Sequence, residues 1–177
     1  MESVKVALFG LGTIGTGVAS ILLEKADLIE RTIGKRIDLV KICTIGTNTN
    51  GLTLEDGVLT EDGEQIFNDP EISIVIELIG GTGAALDVVR RALNSGKNVV
   101  TANKALLAKH GAELFDLARA NNVTIGFEAS VGGGIPVLAS LQTSLLANRI
   151  ESIEAICNGT CNFILSEMES KNAAYAE

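Results

Sequence analysis

Short apolar runs closed by glycine alternate along this chain with stretches in which apolar residues recur every three or four positions. Val4-Lys5-Val6-Ala7-Leu8-Phe9 is the first such run and Gly10 ends it. A run of that length bounded by a turn residue suits a strand buried on both faces of a parallel sheet. Ile14, Val18, Ile21 and Leu22 follow at helical spacing. The alternation repeats, with strands expected over residues 37–43, 73–79, 98–101 and 123–127 and helices over 84–93 and 105–120. Thr, Asn, Gly and Asp crowd residues 46–69, which predicts a loop or short hairpin leaving the sheet. A helix is expected from Pro136 to about Asn148, a weak strand over 150–157, and a last helix opening at Phe163 and taking in the closing residues 174–177.

Strands that alternate with helices and connect by right-handed crossovers build an open, doubly wound α/β sheet, whose ligands bind at the carboxyl ends of the strands. Gly10, Gly80, Lys104 and Glu128 each follow a predicted strand, so topology alone brings them to one rim. The expected organisation is a parallel-sheet domain over residues 1–149, followed by the start of a second, truncated domain over 150–177.

Composition narrows the function. A hydrophobic share of 46% over 177 residues supports a sizeable core, and the mean hydropathy is +0.33. Fourteen Lys and Arg against twenty-two Asp and Glu leave a net charge of −8, which disfavours a nucleic-acid partner and favours a small molecule. No apolar run reaches the roughly 20 residues a membrane helix needs, and no basic, cleavable leader precedes the first strand, so a cytoplasmic location is expected. Three cysteines, Cys43, Cys157 and Cys161, lack metal-ligand spacing and read as small buried or half-buried thiols.

Gly10-Leu11-Gly12-Thr13-Ile14-Gly15 fits G-x-G-x-x-G and stands between a strand and a helix, the context that the pattern requires. Gly10 permits the tight turn, Gly12 lets backbone approach a pyrophosphate, and Gly15 allows helix and strand to pack closely, which marks a Rossmann-type dinucleotide site. After the second strand, where an Asp or Glu for NAD or an Arg for NADP is usual, the chain reads Cys43-Thr44-Ile45-Gly46-Thr47-Asn48 and carries neither; Thr44, Thr47 and Asn48 can hydrogen-bond either ribose. Lys35 and Arg36 precede that strand and belong to the opposite edge. Thr101 or Asn103 can cap the helix that follows. Lys104 then falls in its first turn, against the helix dipole, where it can orient a substrate oxygen or contact the nicotinamide. Glu128 precedes three consecutive glycines, which suit either a hinge or a set of inward carbonyls for a hard cation. Asn158-Gly159-Thr160-Cys161-Asn162 is either a polar-ligand loop or a turn with Asn162 as a helix cap.

Taken together, these blocks resemble homoserine dehydrogenases, oxidoreductases that interconvert L-homoserine and L-aspartate 4-semialdehyde with NAD or NADP on the route to threonine, methionine and isoleucine. The fingerprint, Glu77-Leu78-Ile79-Gly80-Gly81, Val99 to Lys104 with Glu128 to Pro136, and Asn158 to Leu165 carry the resemblance in the right order. It implies that Gly10, Leu11, Gly12, Thr13, Ile14, Gly15, Gly80, Thr101 and Lys104 serve the cofactor, with Lys104 near nicotinamide and substrate. It further implies that Glu128 and the carbonyls of Val131, Gly133 and Ile135 hold sodium, that Thr160 opens a substrate-side loop, and that the complete enzyme is a homodimer. Cys161 stands where the family has threonine. The resemblance spans the whole chain but only the amino-terminal part of the family's protein, so the family's proton-transferring lysine is expected in a following domain and this chain is expected to be inactive alone. A non-catalytic nucleotide-sensing module is the alternative reading of the same cofactor fold.

Overall fold

Ser3–Phe9 forms β1, a central strand of the sheet, and its last four residues are all buried. Ala7 and Phe9 face one core with Val75, Val99 and Ile125, while Val6 and Leu8 face the other with Leu39 and Ile76. Burial on both faces is why the run carries almost no polar alternation. The computed structural model describes residues 3–46, 48–156 and 158–175. The chain divides into two units, Met1–Ser130 and Val131–Glu177, a division that falls ahead of the expected boundary at residue 149.

In the first unit β1 is followed by α1 (Thr13–Glu24), α2 (Ala26–Ile33), β2 (Arg36–Cys43), β3 (Leu59–Thr60), α3 (Glu64–Phe67), β4 (Ile72–Glu77), α4 (Ala84–Asn94), β5 (Asn98–Thr101), α5 (Lys104–Ala120) and β6 (Ile125–Gly126). The sheet order is β3-β2-β1-β4-β5-β6 and every pairing is parallel. The chain runs outward from β1 to β3 and returns to β4 on the other side of β1, so β1 and β4 flank the switch point where a doubly wound sheet opens a crevice. Arg90 on α4 and Glu113 on α5 form a two-pronged ion pair at 2.5 and 2.8 Å across the helices of one face.

Several expected elements differ. The excursion over 46–69 is neither open loop nor hairpin, because it adds a parallel edge strand, β3, and a helical turn whose Ile66 and Phe67 are buried. Phe67 stacks on Phe9 with ring centroids 5.2 Å apart, which ties the excursion to the central strand. α2 was not expected; it follows α1 with only Lys25 between them and ends on Gly34 in the left-handed region. β4 stops at Glu77 rather than residue 79, and β6 is reduced to two residues.

Within the second unit the expected helix over 136–148 is only α6 (Val137–Ala139) running into a π turn, Ser140–Ser144. Ser140 Oγ donates to the Pro136 carbonyl at 2.7 Å and Thr143 Oγ1 to that of Ala139. Hydroxyls that bond back to the preceding turn bend helices in this way. Residues 150–156 form no strand, Ile150, Ile153 and Ile156 are exposed at a spacing of three rather than two, and Cys157 lies outside the described residues. The last helix, α7 (Gly159–Lys171), begins before Phe163, with Asn158 rather than Asn162 as its cap. It ends on left-handed Asn172, so residues 173–175 are not part of it; Ala176 and Glu177 lie outside the described residues.

Lys97, 3% exposed, holds the amino-terminal edge of the sheet: its Nζ donates to the carbonyls of Asp69 at 2.5 Å and Ile72 at 2.8 Å. Lys97→Met strands both acceptors and is expected to lower unfolding free energy by about 1–3 kcal/mol. Burial pushes the Lys97 ammonium below its ordinary 10.5. Between that lowered value and 10.5 the unfolded chain binds more protons than the folded one, so the stability owed to this group rises with pH there. Urea titrations at pH 8 and pH 10 should show the gap between the native chain and the variant widening at the higher pH.

Candidate functional site

The turn after β1 is shaped by two glycines that face protein and one that does not. A Cβ on Gly15 would sit 1.9 Å from the Gly10 carbonyl oxygen, and Gly10, at φ +93°, would carry one 2.8 Å from the backbone of Leu78. Gly10 and Gly15 are therefore glycine so that α1 can rest on β1 and β1 can lie beside the turn after β4. A Cβ on Gly12 meets nothing within 4 Å. The space beside it is left open by the protein. Gly12 is also the cap residue of α1 and gives no side-chain cap bond, so the free amides of the first helical turn and the positive end of its dipole face outward.

Gly12, Thr13 and Ile14 line a cleft of about 460 Å³ together with Glu77, Leu78, Ile79, Gly80, Ala102, Asn103, Lys104 and Ala105. Ile14 is 62% exposed and Ile79 41%, giving the cleft apolar walls. Lys104, the first residue of α5, supplies its ammonium. A wider hollow of about 800 Å³ runs beside β2 from Arg36 to Lys41, away from the carboxyl ends of the strands, and holds none of the expected site residues.

Glu77, which the sequence reading carries only at the head of the block Glu77 to Gly81 and gives no role, braces the cleft. Fully buried at the end of β4, its Oε1 accepts from the amides of Ile79 at 2.8 Å and Gly80 at 3.2 Å, and its Oε2 accepts from Thr101 Oγ1 at 2.6 Å. Thr101 in turn accepts from the Asn103 amide at 3.0 Å. Asn103, not Thr101, caps α5, taking the Leu106 amide on Oδ1 at 3.1 Å while its Nδ2 donates to the Gly81 carbonyl at 2.7 Å. Thr101, 1% exposed, thus braces the rim from behind and does not line the cleft. Leu11 is likewise buried; its carbonyl accepts from Asn50 Nδ2 at 2.7 Å. The available signal was a single acidic residue closing the apolar run Ile74-Val75-Ile76.

Glu128 opens a 3₁₀ turn at the end of β6, and Ser130 Oγ donates to the Thr101 carbonyl at 3.1 Å, so this segment also reaches the carboxyl rim. Among the described residues no three His, Cys, Asp or Glu side chains gather as a metal cluster. Val131, Gly133, Ile135 and Thr160 belong to the second unit. There Gly132 and Gly134 have φ of +59° and +82°, and the Ile135 carbonyl accepts from Val137 N–H at 2.8 Å. Thr160 lies in the first turn of α7 rather than in a loop, behind Asn158, whose side chain accepts from the Cys161 amide at 2.9 Å. Cys43 is half-buried and Cys161 exposed. Lys35 and Arg36 are remote from the rim, Arg36 being paired with Asp27, Glu30 and Asp38. No helix among the described residues is long and apolar enough to cross a membrane.

Comparison with known proteins agrees with this geometry. The family model described as the NAD binding domain of homoserine dehydrogenase matches residues 10–128, and a second, described as homoserine dehydrogenase, matches residues 136–177. The homoserine dehydrogenase of Pseudomonas aeruginosa is 44% identical over 177 residues, covering 100% of this chain and 41% of the relative. That of Neisseria gonorrhoeae is 42% identical with the same coverage. The chain thus spans about 41% of the length of these curated relatives. Among solved structures, a homoserine dehydrogenase from Thiobacillus denitrificans superposes with a TM-score of 0.90 at 44% identity, over 99% of this chain and 41% of that one. A hyperthermophilic archaeal homoserine dehydrogenase in complex with NADPH gives 0.80 at 26% identity, over 99% and 59%.

Glu77→Gln turns an N–H either toward the Ile79 and Gly80 amides or toward Thr101 Oγ1, whose hydroxyl must then rotate to accept, and the charge-assisted character of all three bonds is lost. An unfolding free energy lower by about 1–3 kcal/mol is expected, measured by denaturant titration. Gly15→Ala forces α1 off β1 and should lose a similar amount, about 1–3 kcal/mol.

Proposed function

The chain belongs to the homoserine dehydrogenase family, and on that premise we propose that its first unit holds the NAD(P) of an enzyme interconverting L-homoserine and L-aspartate 4-semialdehyde. The observation that carries this reading is the open space at Gly12, a glycine with no steric reason inside the protein, beside the uncapped start of α1. Backbone amides and a helix dipole there suit a pyrophosphate. When bound, the dinucleotide supplies the hydride acceptor or donor of the reaction.

This chain's own residues orient and enclose. Ile14 and Ile79 offer apolar surface to a nicotinamide ring, and Gly80, held by Glu77, keeps the turn after β4 clear of it. Lys104 places a positive charge where a substrate carbonyl or alcohol oxygen would lie, an arrangement that polarises the oxygen and fixes its direction. We assign the proton transfer to no residue in this chain. By the same family resemblance, Glu128 with the carbonyls of Val131, Gly133 and Ile135 would hold sodium, a hard cation suited to oxygen donors, Thr160 would face substrate, and the whole enzyme would be a cytoplasmic homodimer serving threonine, methionine and isoleucine synthesis.

Calorimetric titration of the 177-residue chain with NADPH and NADH, with and without sodium chloride, tests the reading. Saturable binding of at least one is expected, with negligible homoserine-dependent reduction of NADP or NAD. Gly12→Ala should change stability by less than about 1 kcal/mol yet weaken binding more than about tenfold. Unchanged affinity in that variant would contradict the pyrophosphate assignment.

A further inference from the structure

Which of the two dinucleotides the site takes can be argued further, given the dinucleotide reading above. In a doubly wound sheet the adenosine ribose lies at the carboxyl end of β2, where NAD sites place an Asp or Glu on the 2′-hydroxyl and NADP sites place an Arg at the 2′-phosphate. Thr44-Ile45-Gly46 provides neither. The strand outside β2 does provide a carboxylate. β3 runs parallel to β2 with Cys43 opposite Thr60, and the Thr44 amide donates to the Thr60 carbonyl at 3.0 Å, so Glu61 leaves β3 on the same rim. Its Oε1 accepts from the Gly46 amide at 2.7 Å, which fixes the carboxylate across the end of β2.

The placement is held from several sides. Asp62 Oδ1 accepts from the Glu64 amide at 2.9 Å, and the buried Ile66 and Phe67 that follow pin the segment against Phe9. On the inner side, Asn50 Nδ2 reaches both the Leu11 carbonyl and Thr16 Oγ1, drawing the loop after β2 onto the start of α1. Burial, then the nearby Asp62 and Glu61 carboxylates, holds the Cys43 thiol above its ordinary range, in keeping with acidic groups at the end of β2.

Among the described residues neither Glu61 nor Asp62 is paired with a cation, and Arg91, the guanidinium that reaches this segment, is held by Glu64 over the Phe67 ring. The sequence has no Lys or Arg between Lys5 and Lys25, and between Lys41 and Arg90 it has nine Asp or Glu and again no Lys or Arg. Lys41 itself is turned to the Gly57 carbonyl at 2.5 Å and to Gln65. The elements that surround an adenosine ribose here, namely the glycine turn, α1, the end of β2 and the end of β3, therefore carry no basic side chain to meet a phosphate.

We propose that Glu61, brought to the rim by the edge strand β3, reads the adenosine ribose and makes this a site for NAD(H) in preference to NADP(H). A carboxylate accepts a hydrogen bond from a 2′-hydroxyl and repels a 2′-phosphate, so one residue both favours the first ligand and rejects the second. The residue is separated in sequence from the position where the pattern places it, and the parallel pairing of β3 closes that gap.

The test is titration of the chain with NADH and with NADPH at low and at moderate ionic strength. NADH is expected to bind about tenfold or more tightly than NADPH at low salt, and the gap should narrow as added salt screens the repulsion. Glu61→Gln keeps an oxygen for the Gly46 amide and removes the charge, so it should reduce the NADH preference about tenfold with an unchanged thermal midpoint. Glu61→Lys should turn the preference toward NADPH. Equal or tighter binding of NADPH by the native chain, or a ratio that Glu61→Gln does not move, overturns the inference while leaving the dinucleotide reading intact. Binding of neither nucleotide by the folded chain overturns both.

Discussion

A buried carboxylate that pairs with no cation among the described residues organises the carboxyl rim of this sheet. Glu77 forms no ion pair among the described residues, and its two oxygens are satisfied by two backbone amides and one hydroxyl. Burying a carboxylate is tolerable only when such donors replace water, and bonds to it are then among the stronger ones a fold contains. Through Thr101 and Asn103 the network reaches β5, the start of α5 and the Gly81 carbonyl, and through the Thr101 carbonyl it reaches Ser130 beyond β6. Three successive strand ends are thereby held in register with one another, which is what a cleft built from their loops requires.

The central strands were legible because their chemistry is extreme. The run over residues 4–9 is interrupted only by Lys5 and that over 72–76 only by Ser73, so β1 and β4 read as mostly apolar runs, and α4 and α5 bury regular stripes in the same core. Gly10 and Gly15 were legible for the same reason, since each meets a steric demand that no other residue meets. α2 was obscure because it is only eight residues long, follows α1 with Lys25 alone between them, and buries none of its residues. The excursion was obscure because Ile66 and Phe67, which decide its path, are two residues in a stretch dominated by turn formers. The elements expected in the second unit failed where serine and threonine hydroxyls bend the helix after Pro136 and where isoleucines recur with the wrong spacing for a strand.

Of the site itself, the residues that touch the cleft were read more readily than those that support it. Gly12, Gly80 and Lys104 stand beside glycines or at a helix start, positions that announce themselves. Glu77 and Glu61 do not, because their importance comes from partners that are far along the chain: Thr101 for the first, and the pairing of β2 with β3 for the second. Spacing rules assume that a determinant follows its strand directly. An inserted edge strand lets the same chemical group arrive from outside.

The return of the chain to β1 also sets an order of assembly. β1 can pair with β2 as soon as the residues through Cys43 are available, but its other edge waits for β4, whose register places Lys5 opposite Ile72 and Phe9 opposite Glu77. Contacts between segments so far apart form late, because the intervening loop must close before they are rewarded. The glycine turn therefore exists on an emerging polypeptide well before the crevice does, and during synthesis the amino-terminal half displays that turn without the opposite wall of the crevice.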